Sequence, residues 1–152
     1  MSAGLRRRLE ADAGDRCGYC LTSVGVTGTP LVVDHLVPQA AGGKTQRANL
    51  WLACHHCNLF KGVKQDAVDP VSQRRVSLFN PRRQRWADHF TWSDDGTRIG
   101  GVTPVGRATV EALRLNNGEI VAARRRWVEV GWHPPGEREG QLGKRRREVM
   151  TS

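Results

Sequence analysis

The alternation of apolar and polar positions predicts a β-hairpin followed by a helix in the first half of the chain. Residues 31–37 form a short β-favouring run that carries a polar pair in its middle and stops at Pro38. A flexible, glycine-containing turn at residues 41–44 separates it from a second apolar run at residues 50–53, which can return antiparallel. The residues that follow favour a helix that ends near Gly62. The predicted order is therefore strand, loop, strand, helix.

Cap signatures predict further short elements in the second half. Asn80-Pro81 supplies a cap and a first-turn proline ahead of a short helix through residues 86–89. Alternation at residues 90–92, followed by an Asp-Asp-Gly turn, predicts a hairpin with residues 98–101. Residues 103–113 begin with Thr-Pro and repeat the cap signature at the start of the next helix.

An apolar stripe predicts one more helix after Asn116-Asn117-Gly118. Its members recur at helical spacing and are Ile120, Ala123, Trp127 and Val130. A stripe of this kind normally packs into a core, so we expect it to face the interior rather than to line a binding groove.

The length and the composition divide the chain into a small core and its extensions. The 152 residues leave room for one compact domain. We expect an N-terminal basic segment at residues 1–14, a metal-stapled core at 15–65, an extension that packs on this core at 66–132, and a flexible basic tail at 133–152.

The charge indicates a polyanionic partner. Lys and Arg number 24 against 15 Asp and Glu, which gives a formal net charge of +9. Such a positive field attracts polyanions, and nucleic acid is the first partner to consider. Each dense basic run is equally compatible with a merely solvated face; these runs are Arg6 to Arg8, Arg124 to Arg126 and Lys144 to Arg147.

Four cysteines in two Cys-x-x-Cys pairs predict a structural zinc ion. Cys17 and Cys20 are separated from Cys54 and Cys57 by 33 residues. The sequence has no signal-like or membrane-spanning apolar run, so we expect a cytoplasmic protein without a membrane partner, in which paired cysteines favour metal over disulfides. Four thiolates close the tetrahedral coordination of Zn²⁺ and leave no position for substrate, so this ion should support the fold alone.

Polar residues between and after the cysteine pairs carry a resemblance to a known family. Asp34-His35, a Gly-Gly turn, Asn49 and the pattern Cys54-x-x-Cys57-Asn58-x-x-Lys61 occur in the order and near the spacing of HNH endonucleases of the ββα-metal class. Residues 17–62 resemble the subtype with two zinc knuckles. The resemblance implies an α+β fold with a ββα-metal core, followed here by a mainly helical extension.

The resemblance also implies roles for individual residues. His35 would be the general base, Asp34 and Asn58 would bind one catalytic divalent cation, and Asn49 would brace the loop and orient the histidine. The name HNH stands for His, Asn and His, and Asn58 occupies the position of the second histidine. The chemistry agrees, because histidine titrates near neutral pH and Asp and Asn oxygens are hard ligands that suit Mg²⁺ or Mn²⁺. Taken singly, each of these residues also suits a structural hydrogen bond.

Several basic residues are predicted to grip the nucleic-acid backbone by sequence-independent contacts; they are Lys61, Lys44, Arg82, Arg83, Arg85 and Arg107. The remaining histidines are not predicted to act in catalysis. We expect His55 and His56 to lie beside the zinc without binding it. His89 is predicted to be a partly buried residue of the extension, and His133 a residue of the tail.

Together these features predict an endonuclease that hydrolyses DNA with one metal and a histidine base. Two alternatives stay open: a zinc-knuckle module that binds nucleic acid without cutting it, and an inactive adaptor for a larger complex. RNA as the substrate and a homodimer also stay open.

Overall fold

The computed structural model describes residues 1–136 and contains short helices interleaved with hairpins. The predicted tail from residue 137 onward, with its Lys144 to Arg147 run, lies outside the described residues. The helices are α1 (Ala3–Ala13), α2 (Val24–Thr27), α3 (His55–Lys61), α4 (Trp86–His89), α5 (Pro104–Ala112) and α6 (Gly118–Glu129). The strands are β1 (Val32–His35), β2 (Leu50–Ala53), β3 (Asp66–Val68), β4 (Arg75–Ser77), β5 (Phe90–Trp92) and β6 (Ile99–Gly101).

The strands pair as three antiparallel hairpins, β1 with β2, β3 with β4, and β5 with β6. In the first hairpin Asp34 lies opposite Trp51 and His35 opposite Leu50. The chain then enters α3, so the predicted order of strand, loop, strand and helix is confirmed. The α+β class is confirmed as well, because helices accompany the antiparallel hairpins.

One apolar core joins the first hairpin to the later elements. Leu9 of α1 and Leu50 of β2 are fully buried in the same cluster as Phe79 and Leu113. The Trp86 indole nitrogen donates a hydrogen bond of 2.8 Å to the carbonyl oxygen of Tyr19. The elements after residue 66 thus pack directly on the segment that contains the cysteines and His35.

Residues 1–14 form a helix that the sequence reading did not predict. The Ser2 side chain accepts a hydrogen bond from the Leu5 amide at its start, and Gly14 ends it with a φ of 61°. Leu9 faces the core, while Arg6 donates to Glu10 and to the Leu31 carbonyl oxygen. The Ser cap, the apolar residues four apart and the terminal glycine were available signals, masked by the basic run.

The position of α4 corrects the predicted Asn80-Pro81 cap. The Asn80 carboxamide oxygen accepts hydrogen bonds from the amides of Arg82 and Arg83 and so closes a turn. The helix itself begins only at Trp86. The cap predicted at Thr103 is present, because its side chain accepts from the amide three residues later. Asn117, predicted only as part of the segment between the last two helices, caps α6 in the same way.

The apolar stripe of α6 is only partly a core face, which corrects the prediction. Val121 and Arg124 are the buried residues of this helix. Ile120 and Trp127 are half-buried and line an open cavity of about 360 Å³, and Val130 is 59% exposed. The core-facing side of α6 therefore runs through Val121 and Arg124 instead of through the predicted stripe.

His133 packs into the fold, so its assignment to a tail is wrong. Its side chain is buried and shares a hydrogen bond of 2.9 Å with the Gly96 carbonyl oxygen through Nε2. Its ring stands edge-on to Trp92 at 4.4 Å between centroids. Burial, and to a smaller degree the charge of Arg124, lowers the pKa of His133 to about 4.

This lowered pKa predicts a specific loss of stability in acid. In the unfolded chain His133 binds a proton near its usual pKa of about 6.5, whereas the folded protein resists protonation until about pH 4. Folding stability should therefore fall as the pH decreases from about 7 toward 4. Urea unfolding at pH 7.5 and pH 5.0 should show that wild type loses about 1–2 kcal/mol more than His133→Gln, which keeps a donor without the titration. Equal losses in the two proteins would contradict this assignment.

Candidate metal centre and active site

The four cysteines meet at one point beside the first hairpin. All four Sγ atoms lie within 4.8 Å of one another, and the Sγ atoms of Cys20 and Cys54 are 3.7 Å apart. Cys17 and Cys57 are fully buried, and none of the four is in a disulfide. Hydrogen bonding, chiefly from Cys17, holds the pKa of Cys20 well below its usual value. This cluster provides the closed set of sulfur ligands that suits a structural Zn²⁺.

Close packing of the first knuckle requires Gly18. Its amide donates a hydrogen bond of 3.0 Å to the Leu52 carbonyl oxygen, which ties the knuckle to β2. A Cβ atom at this position would overlap the indole ring of Trp51. The knuckle and the hairpin are therefore fixed to each other.

Asn49 braces the loop between the two strands. Its carboxamide oxygen accepts from the Val37 amide, and its nitrogen donates to the carbonyl oxygens of Val37 and Lys44. Gly43 is required inside this loop because a Cβ there would overlap the Val37 carbonyl group. These contacts hold the chain that follows His35 against the start of β2.

The ring of His35 stands at the end of β1, partly exposed to solvent. Its Nε2 shares a hydrogen bond of 3.0 Å with the hydroxyl of Thr45. The Gln39 amide nitrogen donates to the same hydroxyl at 3.4 Å. Within residues 1–136, Nδ1 of His35 has no hydrogen-bond partner. The sequence reading did not single out Thr45, and a lone threonine in a loop carries no signal that would have done so.

Asp34 points away from His35 into the protein, as alternation along a strand requires. The carboxylate is only 3% exposed, and its two oxygens accept hydrogen bonds from the Tyr19 hydroxyl and from Lys61 Nζ. Lys61 also donates to the His35 carbonyl oxygen at 3.0 Å. Tyr19, like Thr45, was not predicted from the sequence.

The burial of Lys61 corrects its predicted contact with a phosphate. The side chain is 3% exposed and forms an ion pair of 3.0 Å with Asp34. Its position three residues after Asn58 on α3 is as predicted, but this face of the helix turns toward β1 rather than toward solvent. Lys61 joins the helix to the hairpin.

Asn58 shares that face of α3 one turn earlier. It is half-buried, and its side chain makes no hydrogen bond to any residue in the range 1–136. Its backbone belongs to the helix, where the carbonyl oxygen accepts from the Gly62 amide. Within the described residues, Asn58 is thus a polar side chain without a hydrogen-bond partner, on the same helix as Lys61.

Two of the predicted phosphate-binding arginines are engaged within the protein. Arg82 donates to Asp12 and to the Leu50 carbonyl oxygen and lies over the Trp51 ring. Arg107 donates two hydrogen bonds to the buried carboxylate of Asp69. Both roles are therefore corrected to structural ones. Three predicted basic residues are exposed, and their contact with nucleic acid stays a prediction: Lys44, Arg83 and Arg85.

The other histidines lie outside the cysteine cluster. His56 donates through Nε2 to the Leu113 carbonyl oxygen at 2.9 Å and packs against Phe60, so it fastens α3 to the end of α5. His55 is exposed, and His89 is half-buried with Nδ1 at 2.7 Å from the Thr103 hydroxyl.

A zinc-type sulfur cluster, a β-hairpin with a histidine at its end, and a helix entered from the last knuckle define a metal-stapled ββα domain. Residues 17–64 match the sequence model of the family described as HNH endonuclease. This segment, about a third of the chain and called the HNH domain below, matches a family of nucleases, and the family implies nucleic acid as its partner. No curated protein and no solved structure matches the chain. None of the helices within residues 1–136 is long and apolar enough to cross a membrane.

The buried pair of Asp34 and Lys61 predicts a large loss of stability when one partner is removed. Lys61→Met leaves the carboxylate of Asp34 buried without its counter-charge, which typically costs about 3–5 kcal/mol. The double variant Asp34→Asn with Lys61→Met should recover much of this loss, because no charge is then left unpaired. Urea unfolding of the zinc-loaded proteins measures both effects.

An exposed ion pair provides the matched control for this cycle. Arg75 and Asp66 are 2.6 Å apart, but their side chains are 65% and 50% exposed. Arg75→Met should cost no more than about 1 kcal/mol. Equal losses of unfolding free energy in Lys61→Met and Arg75→Met would show that the buried Asp34–Lys61 pair contributes no more to stability than the exposed pair.

Proposed function

We propose that this protein is an endonuclease that hydrolyses phosphodiester bonds of DNA, with His35 as the general base. The proposal depends on the ring of His35 at the end of β1. One ring nitrogen shares a hydrogen bond with Thr45, and the other has no hydrogen-bond partner within residues 1–136. Imidazole is the side chain best suited to accept a proton from water in general base catalysis.

We place the proton of the neutral imidazole on Nε2, which faces the Thr45 hydroxyl. When Nε2 carries the proton and donates it to the Thr45 hydroxyl, the lone pair is on Nδ1, which has no protein partner within residues 1–136. Gln39 and Asn49 hold the loop that carries Thr45. The protein thus orients the imidazole and leaves its basic nitrogen available to a water molecule.

Asp34 and Asn58 are the residues that would hold a catalytic Mg²⁺ or Mn²⁺. They fit in chemistry, because both offer hard oxygen ligands and Asn58 has no other hydrogen-bond partner within residues 1–136. Tyr19 and Lys61 occupy two of the roughly four acceptor sites of the Asp34 carboxylate, so acceptor capacity remains. When bound, a divalent cation supplies charge stabilisation to the phosphate during hydrolysis.

Double-stranded DNA is the substrate that we propose. The net charge of +9 favours a polyanion, and Lys44 lies in the same braced loop as Thr45, exposed to solvent. Arg83 and Arg85 extend the exposed positive surface. RNA cleavage is an outcome of the assay described below.

The alternative is a module that binds nucleic acid without cutting it, or an adaptor that has lost activity. The observation that favours it is the burial of Asp34 against Lys61 and Tyr19. In that case the carboxylate and its partners only stabilise the hairpin, and the charge alone accounts for binding.

Plasmid nicking separates these functions. Zinc-loaded protein should convert supercoiled plasmid to the open circle when Mg²⁺ or Mn²⁺ is added, and should not do so without added metal. An EDTA arm stops the reaction, with the protein's zinc content measured in parallel to confirm that the cysteine cluster stays loaded. Binding of the plasmid without nicking under either metal would favour the alternative. A labelled RNA of equal length tests the substrate class.

Two further expectations stay predictions. These are a cytoplasmic location and a homodimer.

A further inference from the structure

Arg124 of α6 is a buried cation with an incomplete set of partners. It is 0% exposed, and Nη1 donates to the carbonyl oxygen of Thr97 and to the side-chain oxygen of Asn116. Nε and Nη2 are buried without any hydrogen-bond partner. None of the ion pairs among residues 1–136 that the structure defines includes Arg124. The Trp92 ring, whose centroid lies 5.3 Å from the guanidinium carbon, compensates the charge only in part. A buried cation is otherwise strongly unfavourable unless an opposite charge lies nearby.

The cysteine cluster carries the largest negative charge next to the cavity that Arg124 lines, which also includes Glu119. Cys20 and Cys54 line the same cavity of about 360 Å³ as Arg124. Burial lowers the pKa of Arg124 below its usual value. The charges of Cys20, Cys57 and Cys54 act in the opposite direction and offset part of this effect. Four thiolates around one Zn²⁺ carry a net charge of −2, which exceeds the single positive charge of the guanidinium.

We propose that Arg124 is the buried counter-charge of the four-cysteine metal centre. A residue outside the matched segment 17–64 then supports metal retention inside it. No hydrogen bond joins Arg124 to a cysteine Sγ in this structure, so the attraction acts across the low-dielectric interior and through water that the cavity has room to hold. Removal of the positive charge leaves the dianionic centre uncompensated and weakens its hold on zinc.

A free anion in the cavity is the less favourable reading. Glu119 and two of the cysteines line the same cavity and would repel it. The half-buried Ile120 and Trp127 add apolar surface to the same wall. An anion would therefore gain one guanidinium edge and meet several negative groups.

Zinc release from the full-length, zinc-loaded protein tests the proposal. At a fixed EDTA concentration, Arg124→Met should lose zinc about 10- to 100-fold faster than wild type, the range typical of outer-shell partners of metal sites. Arg124→Lys keeps the positive charge and should stay within about threefold of wild type. A lysine variant that folds and loses zinc as fast as Arg124→Met would overturn the proposal.

Arg107→Met is the matched control on a neighbouring helix. It removes a cation of α5 that pairs with Asp69 and does not line the cavity shared by Arg124, Cys20 and Cys54. Its zinc release should equal that of wild type even if its stability falls. An acceleration equal to that of Arg124→Met would show that loosening of the helices, rather than the charge, controls release, and would overturn the proposal.

Cobalt substitution provides a spectroscopic measurement that would not change if Arg124 had a purely structural role. With Co²⁺ in the site, the sulfur-to-metal charge-transfer band should shift to longer wavelength in Arg124→Met, because the thiolate electrons lose a stabilising positive charge. The band should not move in Arg107→Met. An unshifted band together with unchanged zinc release in folded Arg124→Met would overturn the proposal. Sulfate that stabilises wild type but not Arg124→Met, with equal zinc release, would assign Arg124 to an anion site instead.

Discussion

His35→Ala is expected to abolish plasmid nicking while zinc binding, folding and DNA binding persist. Loss of a positioned general base typically reduces the rate by about 10²- to 10⁴-fold. The ring is partly exposed and its only side-chain partner within residues 1–136 is Thr45, so its removal leaves no buried group unpaired. Nicking rates at saturating Mg²⁺ or Mn²⁺, beside gel-shift binding and zinc content, measure the effect.

His55→Ala is the matched control. His55 is exposed, makes no side-chain hydrogen bond within residues 1–136, and lies in the same domain. It should nick plasmid at the wild-type rate. Undiminished nicking by His35→Ala would remove His35 from the mechanism, whereas a parallel loss in both variants would point to a general disturbance of the domain.

Removal of the metal is expected to unfold the HNH domain. Structural zinc in small motifs contributes on the order of 10 kcal/mol of apparent folding free energy. The domain has a small core, and without the metal neither a metal–sulfur bond nor a disulfide joins the two cysteine pairs. Chelation, or Cys54→Ser, should therefore reduce the helical circular dichroism signal and abolish the cooperative urea transition.

Cys54→Ser isolates the ligand role from the capping role. Cys54 is also the N-cap of α3, where its Sγ accepts from the Cys57 amide, and serine keeps this capping ability. His55→Ala, next in sequence but outside the cluster, should keep both zinc and the far-ultraviolet spectrum. A circular dichroism spectrum that does not change after complete zinc removal would show that the cluster does not hold the fold.

The hairpin and the helix of the HNH domain were predictable because local signals agree with one another. The β-favouring run, the turn and the two knuckles all specify the same order, and the caps at Thr103 and Asn117 specify the later helices. The helix at residues 3–13 was missed because its arginine run suggested a solvated segment, although Leu9 anchors it in the core.

The sequence by itself determined the metal-binding cysteines, the HNH class and the order of elements around His35, because residue types at fixed spacing carry this information. Only the tertiary structure decided which basic side chains are free to contact nucleic acid. Lys61 and Arg107 face buried carboxylates, and Arg124 enters the interior beside the cysteines. Whether a basic side chain meets solvent, a carboxylate or a metal centre depends on contacts between residues far apart in sequence, and local pattern does not encode those contacts.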